Sequence, residues 1–164
     1  MIRFILTLVF ASNALQADQT IRDYIDNEWL DARYVDNGDG SVIDLDTGLV
    51  WKKCSEGLDG DNCSIGTVAS YDWKSALETA SNASYATYTD WRLPNTKELA
   101  SIAALDRFDP AINIALFPET VSDYYWSSTP SLSDDSQSIV ISFHHGYDSD
   151  KDRTSVRHVR LVRN

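Results

Sequence analysis

Early turn signals, two stretches of helical spacing and a pair of late apolar strands predict an α+β domain for this chain. The turn signals are Asn37-Gly38-Asp39-Gly40 and Asp46-Thr47-Gly48, each set between short apolar alternations, the pattern of tight hairpins. The helical spacing is carried by Trp73, Ala76, Leu77 and Ala80, and again by Leu99, Ile102 and Ala103. The late strands are read in Ser138-Ile139-Val140-Ile141-Ser142-Phe143 and in 156–163.

The chain has 164 residues, enough for one domain with a substantial core and too few to expect two. Residues 1–17 read as a cleaved secretory signal. Arg3 supplies the positive start, and 4–11 supply an apolar run too short to span a bilayer. Nothing later is apolar enough to cross a membrane, so the mature protein is expected to be secreted or periplasmic. In 18–32, Ile21, Tyr24, Ile25 and Trp29 recur at near-helical spacing; this is either a short helix or a lead-in segment. The domain itself is placed at 33–164.

Charge excludes some partners. Asp and Glu number 25 against 14 Lys and Arg, a net charge of −11, which argues against nonspecific binding to nucleic acid or anionic membranes. The acidic residues crowd into 18–72. Lys151, Arg153, Arg157, Arg160 and Arg163 make the end of the chain basic. The five Trp (Trp29, Trp51, Trp73, Trp91, Trp126) are read as core, because aromatic burial dominates core energetics.

The first hairpins run through 33–35, 41–44 and 49–51. Their Asp/Asn/Gly turn does not fit a calcium loop: with Gly40 at position six, position one is Val35, which carries no side-chain oxygen. Cys54 and Cys63 are the only cysteines. In an exported protein their spacing suggests one local disulfide. A redox or metal pair lacks the Cys-x-x-Cys motif and a neighbouring His.

The first helix is expected over 70–80, followed by a polar connector at 82–89. Asp90-Trp91-Arg92-Leu93-Pro94-Asn95-Thr96-Lys97-Glu98-Leu99 then joins an extended segment to a second helix. Pro94 holds Leu93 extended. Asn95 sits at the N-cap and Glu98 three residues on, as a capping box requires. Residues 108–123 are irregular. A strand follows at 124–129 and a turn at 133–135. The pair of late strands then flanks a polar loop at 144–155.

Catalytic signatures are weak. His144-His145 precedes Asp148, Asp150 and Asp152, but Arg153 and Val159 stand where a calcium loop needs Gly and Glu. Ser, His and Asp are all present, without a Gly-x-Ser-x-Gly elbow; Ser127 and Ser128 are read as strand-edge hydroxyls. Arg92 and Arg160 stand between apolar residues, and a buried Arg must be paired. Both are taken as structural, bonding carboxylates or backbone carbonyls.

The ordered set Asn37-Gly38-Asp39-Gly40, Thr47-Gly48-Leu49-Val50-Trp51, Cys54/Cys63, Trp73-Lys74-Ser75-Ala76-Leu77, Trp91-Arg92-Leu93-Pro94, Tyr125-Trp126-Ser127-Ser128 and Val159-Arg160-Leu161-Val162-Arg163 resembles the domain found at the C-terminus of Legionella collagen-like adhesins. The resemblance covers about 33–164. It implies a C-type-lectin-like fold, with two short helices packed on small antiparallel sheets and long loops forming a ligand surface. Relatives bind host glycans, notably sulfated ones, and trimerise through a collagen stalk. This chain has no Gly-x-y repeat, and its acidity disfavours sulfated glycans.

The function so implied is a secreted, non-enzymatic recognition module for a glycan or a cell-surface protein, possessing no cofactor, no metal and no catalytic residue. The opposing readings are an exported metal-dependent enzyme using His144, His145 and the nearby Asp residues, or an envelope-associated structural domain. In this fold the loops between late strands carry recognition, so His144, His145, Tyr147, Asp148, Asp150 and Arg153 are the candidate ligand residues. Trp91, Arg92, Pro94, Asn95, Trp126 and Arg160 are assigned structural roles.

Overall fold

A computed structural model of the chain describes residues 19–26 and 31–164. The strands are β1 (Thr20–Ile21), β2 (Tyr34–Asp36), β3 (Ser41–Asp44), β4 (Val50–Lys52), β5 (Leu58–Asp59), β6 (Ile65–Gly66), β7 (Arg107–Phe108), β8 (Tyr124–Pro130), β9 (Gln137–Ser142), β10 (Asp148–Asp152) and β11 (Val162–Arg163). The helices are α1 (Trp73–Ser81) and α2 (Thr96–Ser101), with a 3-10 turn at Asp31–Arg33. The molecule is thus α+β, built on a four-stranded sheet in the order β11-β4-β3-β2 and a three-stranded sheet in the order β10-β9-β8. Both are antiparallel, as are the small pairs β1-β7 and β5-β6.

Successive side chains of a strand point to opposite faces, and here both faces are covered. Trp51, Tyr125, Ile141 and Val162 enter one apolar cluster with Leu99, Ile102 and Phe117. Their immediate neighbours Val50, Trp126, Val140 and Leu161 enter a second cluster with Ala76, Ala80, Trp91 and Leu93. The hairpin register carries this alternation across the sheet: Val42 lies opposite Trp51, and Trp51 opposite Val162.

Both helices start as their sequences dictate. The Asp72 carboxylate caps α1 by accepting from the Ser75 N–H at 2.7 Å. Asn95 and Glu98 form the reciprocal capping box of α2. Glu98 has a second role, accepting from both terminal nitrogens of Arg92 at 2.7 and 2.9 Å. Burial alone would raise the Glu98 carboxyl, but Arg92 and the Asn95 N–H together hold it below the usual glutamate value. Arg92 is therefore paired but not buried; its side chain is 38% exposed. Pro94 is buried, and its carbonyl accepts from the Ser128 N–H at 2.7 Å. Trp91 is 2% exposed and donates from its indole to the Tyr85 carbonyl at 3.0 Å. Trp126 is fully buried and donates to the Tyr71 carbonyl at 2.8 Å. Trp51 is likewise fully buried, Trp73 is half-buried, and Trp29 lies outside the described residues.

Cys54 and Cys63 form a disulfide, with Cα atoms 5.3 Å apart. The loop they close contains the start of a small hairpin, β5-β6, that its Gly/Asp-rich sequence does not announce.

Arg160 is completely buried. It donates to the carbonyls of Lys52 (3.2 Å) and Lys53 and to the hydroxyls of Ser55 (3.1 Å) and Thr120 (2.6 Å), and its guanidinium lies 4.9 Å from the Phe117 ring centroid. Burial pushes its pKa down to about 10, with Tyr125 opposing the fall. Asp44 is a buried charge of the opposite sign. It accepts from Arg33 at 2.7 and 2.5 Å and from Thr47 at 2.7 Å. Burial would raise its carboxyl, but Arg33, Thr47 and the Asp46 N–H hold it below the usual aspartate value.

Three sequence expectations are corrected. Residues 19–26 are not helical: Thr20 and Ile21 pair with Phe108 and Arg107, and Gln19 donates to the Pro110 and Ile112 carbonyls, so tertiary pairing overrides local spacing. The signal segment and the remainder of the lead-in lie outside the described residues. The loop expected at 144–155 is a hairpin whose second strand is β10. Its Asp-Ser-Asp-Lys-Asp sequence has period two but no apolar face, so the apolar alternation that marks strands is missing. The long strand expected at 156–163 is ladder-paired only at Val162–Arg163. The run His158 to Val162 is buried throughout, threaded between elements by single bridges of Arg157 with Tyr71 and His158 with Tyr125.

Four outcomes are expected. Trp91→Ala should destabilise by roughly 3–5 kcal/mol through the cavity left behind, and Asn95→Ala by about 1 kcal/mol through the lost cap, both read from urea melts. Arg160→Lys, which keeps the charge but loses the planar fork, should cost at least about 2 kcal/mol because carbonyls and hydroxyls lose their donors. Asp44 has a depressed folded pKa, so its contribution is complete above the unfolded value near about pH 4 and disappears as pH falls through the folded value. The stability gap between wild type and Asp44→Asn should therefore be larger at about pH 7 than at about pH 3.

Candidate functional site at the hairpin tip

The tip joining β9 to β10 is closed by backbone bonds from Gly146 N–H to the Ser142 carbonyl (2.7 Å) and from Ser142 N–H to the Tyr147 carbonyl (2.8 Å). Gly146 has φ +88°, and a Cβ there would lie 2.7 Å from Leu105 Cδ2. The left-handed turn therefore favours glycine here, and the flexible end of the Leu105 side chain packs beside it.

This turn presents His144, His145 and Tyr147 together. The two imidazoles meet edge to face at 4.0 Å, and the exposed His145 ring stacks on Tyr147 at 5.7 Å and 19°. The Tyr147 hydroxyl lies 3.3 Å from that of Tyr124, a contact that raises the Tyr147 pKa. Lys151 sits 4.6 Å and Arg157 5.7 Å from the centre of the Tyr124 ring. A shallow cavity of about 320 Å³ is bounded by Ser122, Asp123, Tyr124, Ser142, His144, His145 and Tyr147.

His144 is held from below. Its Nδ1 lies 2.8 Å from Ser122 Oγ and 3.2 Å from Asp109 Oδ1, and its carbonyl accepts from the Asp109 N–H at 3.0 Å. The hydrogen bond from Ser122, reinforced by His144, holds the Asp109 carboxyl below the usual aspartate value. A Ser, a His and an Asp thus converge, but Ser122 and Asp109 both address the same ring nitrogen. A hydrolytic triad needs the nucleophile on one imidazole nitrogen and the carboxylate on the other, so this cluster orients His144 and cannot relay a proton from Ser122. Among the described residues, no group of three or more His, Cys, Asp or Glu side chains is placed to hold a metal ion.

The remaining candidate residues are dispersed. Asp148 and Asp150 lie on the exposed face of β10 with Asp152. Arg153 lies past the far end of that strand, its guanidinium 4.3 Å from the centre of the Trp73 ring. It donates to Gln137 O (3.1 Å) and Ser138 Oγ (2.8 Å), and its own carbonyl accepts from the Trp73 N–H. Arg153 thus clamps the hairpin to α1 and does not reach the tip. Conversely, Asp109, Ser122, Asp123 and Tyr124 are tip residues that sequence reasoning missed. Asp109, Ser122 and Asp123 come from irregular chain and Tyr124 opens β8, and nothing local marks them as tip residues.

The six motifs that carry the family resemblance from Thr47 onward all lie in the scaffold around the two clusters, and the tip emerges from it. Among the described residues no helix is long and apolar enough to cross a membrane. No curated protein matches the chain. A family model for the Lcl C-terminal domain matches residues 40–163, which spans every element from β3 to β11. The chain belongs to the Lcl C-terminal domain family, the C-terminal domain of the Legionella collagen-like protein.

Proposed function

We propose that the protein is an exported, non-catalytic recognition module of the adhesin type, on a C-type-lectin-like scaffold spanning 33–164, and that its hairpin tip binds a glycan or a cell-surface protein. The observation that carries this reading is the exposed His145–Tyr147 stack, set on a turn that Gly146 and the Ser122–His144–Asp109 contacts hold in place. Rigidly mounted loops are where binding residues concentrate, and a flat aromatic pair beside hydroxyl and charged groups suits a sugar face or a polar protein epitope. The family membership supports an adhesin-like role and an extracellular location, and the Cys54–Cys63 disulfide fits an oxidising compartment. The apolar start of the chain supports removal of 1–17 on export.

The placement of Arg153 separates binding from folding in the test. His145→Ala/Tyr147→Ala should abolish binding to a glycan array or to cell surfaces with an unchanged melting curve. Arg153→Ala should lose about 1–2 kcal/mol of stability with its cation–π and hydrogen bonds, and leave binding intact while the protein is folded. Equal binding by wild type and the double variant would overturn the site.

A further inference from the structure

A second concavity, of about 660 Å³, opens on a different part of the molecule, between α1 and the connector that follows it. Its floor is an ion pair. Lys52 Nζ lies 2.7 Å from Glu56 Oε1, and the two side chains are only 9% and 13% exposed. The same ammonium sits 4.8 Å from the centre of the Tyr85 ring. Tyr71, Thr79 and Asn82 complete the walls. Burial raises the hydroxyl pKa of both Tyr71 and Tyr85, with Glu56 contributing in each case, so both phenols stay protonated.

The arrangement is unlike a solvated surface pair. Withdrawing two charges from water is costly unless other partners are supplied, and here the pair faces a cavity of the size that small ligands fill. An ammonium has three donors, and a carboxylate has more acceptor sites than one partner can occupy. The floor is also electrically balanced. Lys52 offsets Glu56, and at the rim Glu78 lies 3.6 Å from Lys74. Asp39, Asp59 and Asp61 also act on the Tyr85 wall, which disfavours an anion, whereas a neutral group that both donates and accepts can address the two ends of the floor pair at once.

We propose that this groove is a second binding site, for a neutral hydroxyl-rich ligand of the sugar class, with the Lys52–Glu56 pair at its floor and Tyr71, Thr79, Asn82 and Tyr85 around it. The site goes beyond the tip reading and shares no residue with it. Sugar hydroxyls would accept from Lys52 and donate to Glu56, contacts of the charge-assisted kind.

The experiment is a titration of the folded, exported protein with galactose and with N-acetylglucosamine, read by amide nuclear magnetic resonance. Glucosamine serves as the cationic control and a sulfated glucose as the anionic one. Saturable shifts at residues 52–56 and 71–85 with a neutral sugar, weakened about tenfold in Glu56→Gln through loss of a charged hydrogen bond, would support the site. Thr79→Val changes the wall without touching the ion pair, and it should weaken binding even where Glu56→Gln folds poorly. The site is overturned by no saturable shift there with either neutral sugar, by shifts only with a charged control, or by equal affinity in both variants. The tip is read separately at residues 142–148 and in His145→Ala/Tyr147→Ala, which should leave the groove shifts unchanged, so either site can fail alone.

Discussion

A fully buried cation sits at the meeting point of this fold, hydrogen-bonded to neutral carbonyls and hydroxyls. The partners of Arg160 are two carbonyls at the end of β4, those of Lys52 and Lys53, and the hydroxyls of Ser55 and Thr120. Those groups come from 52–55 and from 120, two segments distant in sequence that the guanidinium joins. A planar donor fork can serve several acceptors at set angles where an ammonium cannot. The neighbouring Tyr125 is buried as well; its pKa is raised by that burial, and its hydroxyl lies 2.9 Å from that of Ser55. The chain end, the segment after β4 and the irregular run before β8 are thereby tied into one polar knot between two apolar clusters.

The knot explains why the terminal segment is buried as a continuous run rather than laid on a sheet edge. Val159 and Leu161 enter one cluster and Val162 the other, with Arg160 between them. The helix-starting segment is drawn in by the same segment: Arg92 bridges Val162 through paired backbone bonds of 2.9 and 3.0 Å. One carboxylate, Glu98, then serves both the cap of α2 and the Arg92 side chain. Local helix initiation and long-range docking therefore share atoms, and neither can shift without the other.

The two concavities are supported in different ways. At the tip, backbone closure by Gly146 and the shared contacts on His144 Nδ1 orient an aromatic pair that itself remains exposed. In the groove beside α1 the polar groups lie inside, and the aromatic Tyr85 serves as a wall for an ammonium. The tip stands out as a surface to be approached. The groove is a recess that a small molecule would fill.

Sequence by itself determined the local units. Asn-Gly and Asp-Gly turns marked the first hairpins because few residues tolerate the required backbone. Asn95 and Glu98 marked the start of α2 because orphan N–H groups at a helix start demand acceptors. The β-branched run Ile139-Val140-Ile141 marked β9, and the cysteine spacing marked the disulfide. Only the tertiary structure decided the rest. β10 was hidden because a strand facing water on one side with Asp148, Asp150 and Asp152 has no apolar period to detect. Arg153 looked like a tip residue from its position in the chain, but a five-residue strand carries it away to Trp73. Asp109, Ser122 and Tyr124 reach His144 and Tyr147 from segments far removed in the chain, and Lys52 meets Tyr85 in the same way. Such meetings follow from how whole elements pack, and side-chain chemistry read one residue at a time holds no record of that packing.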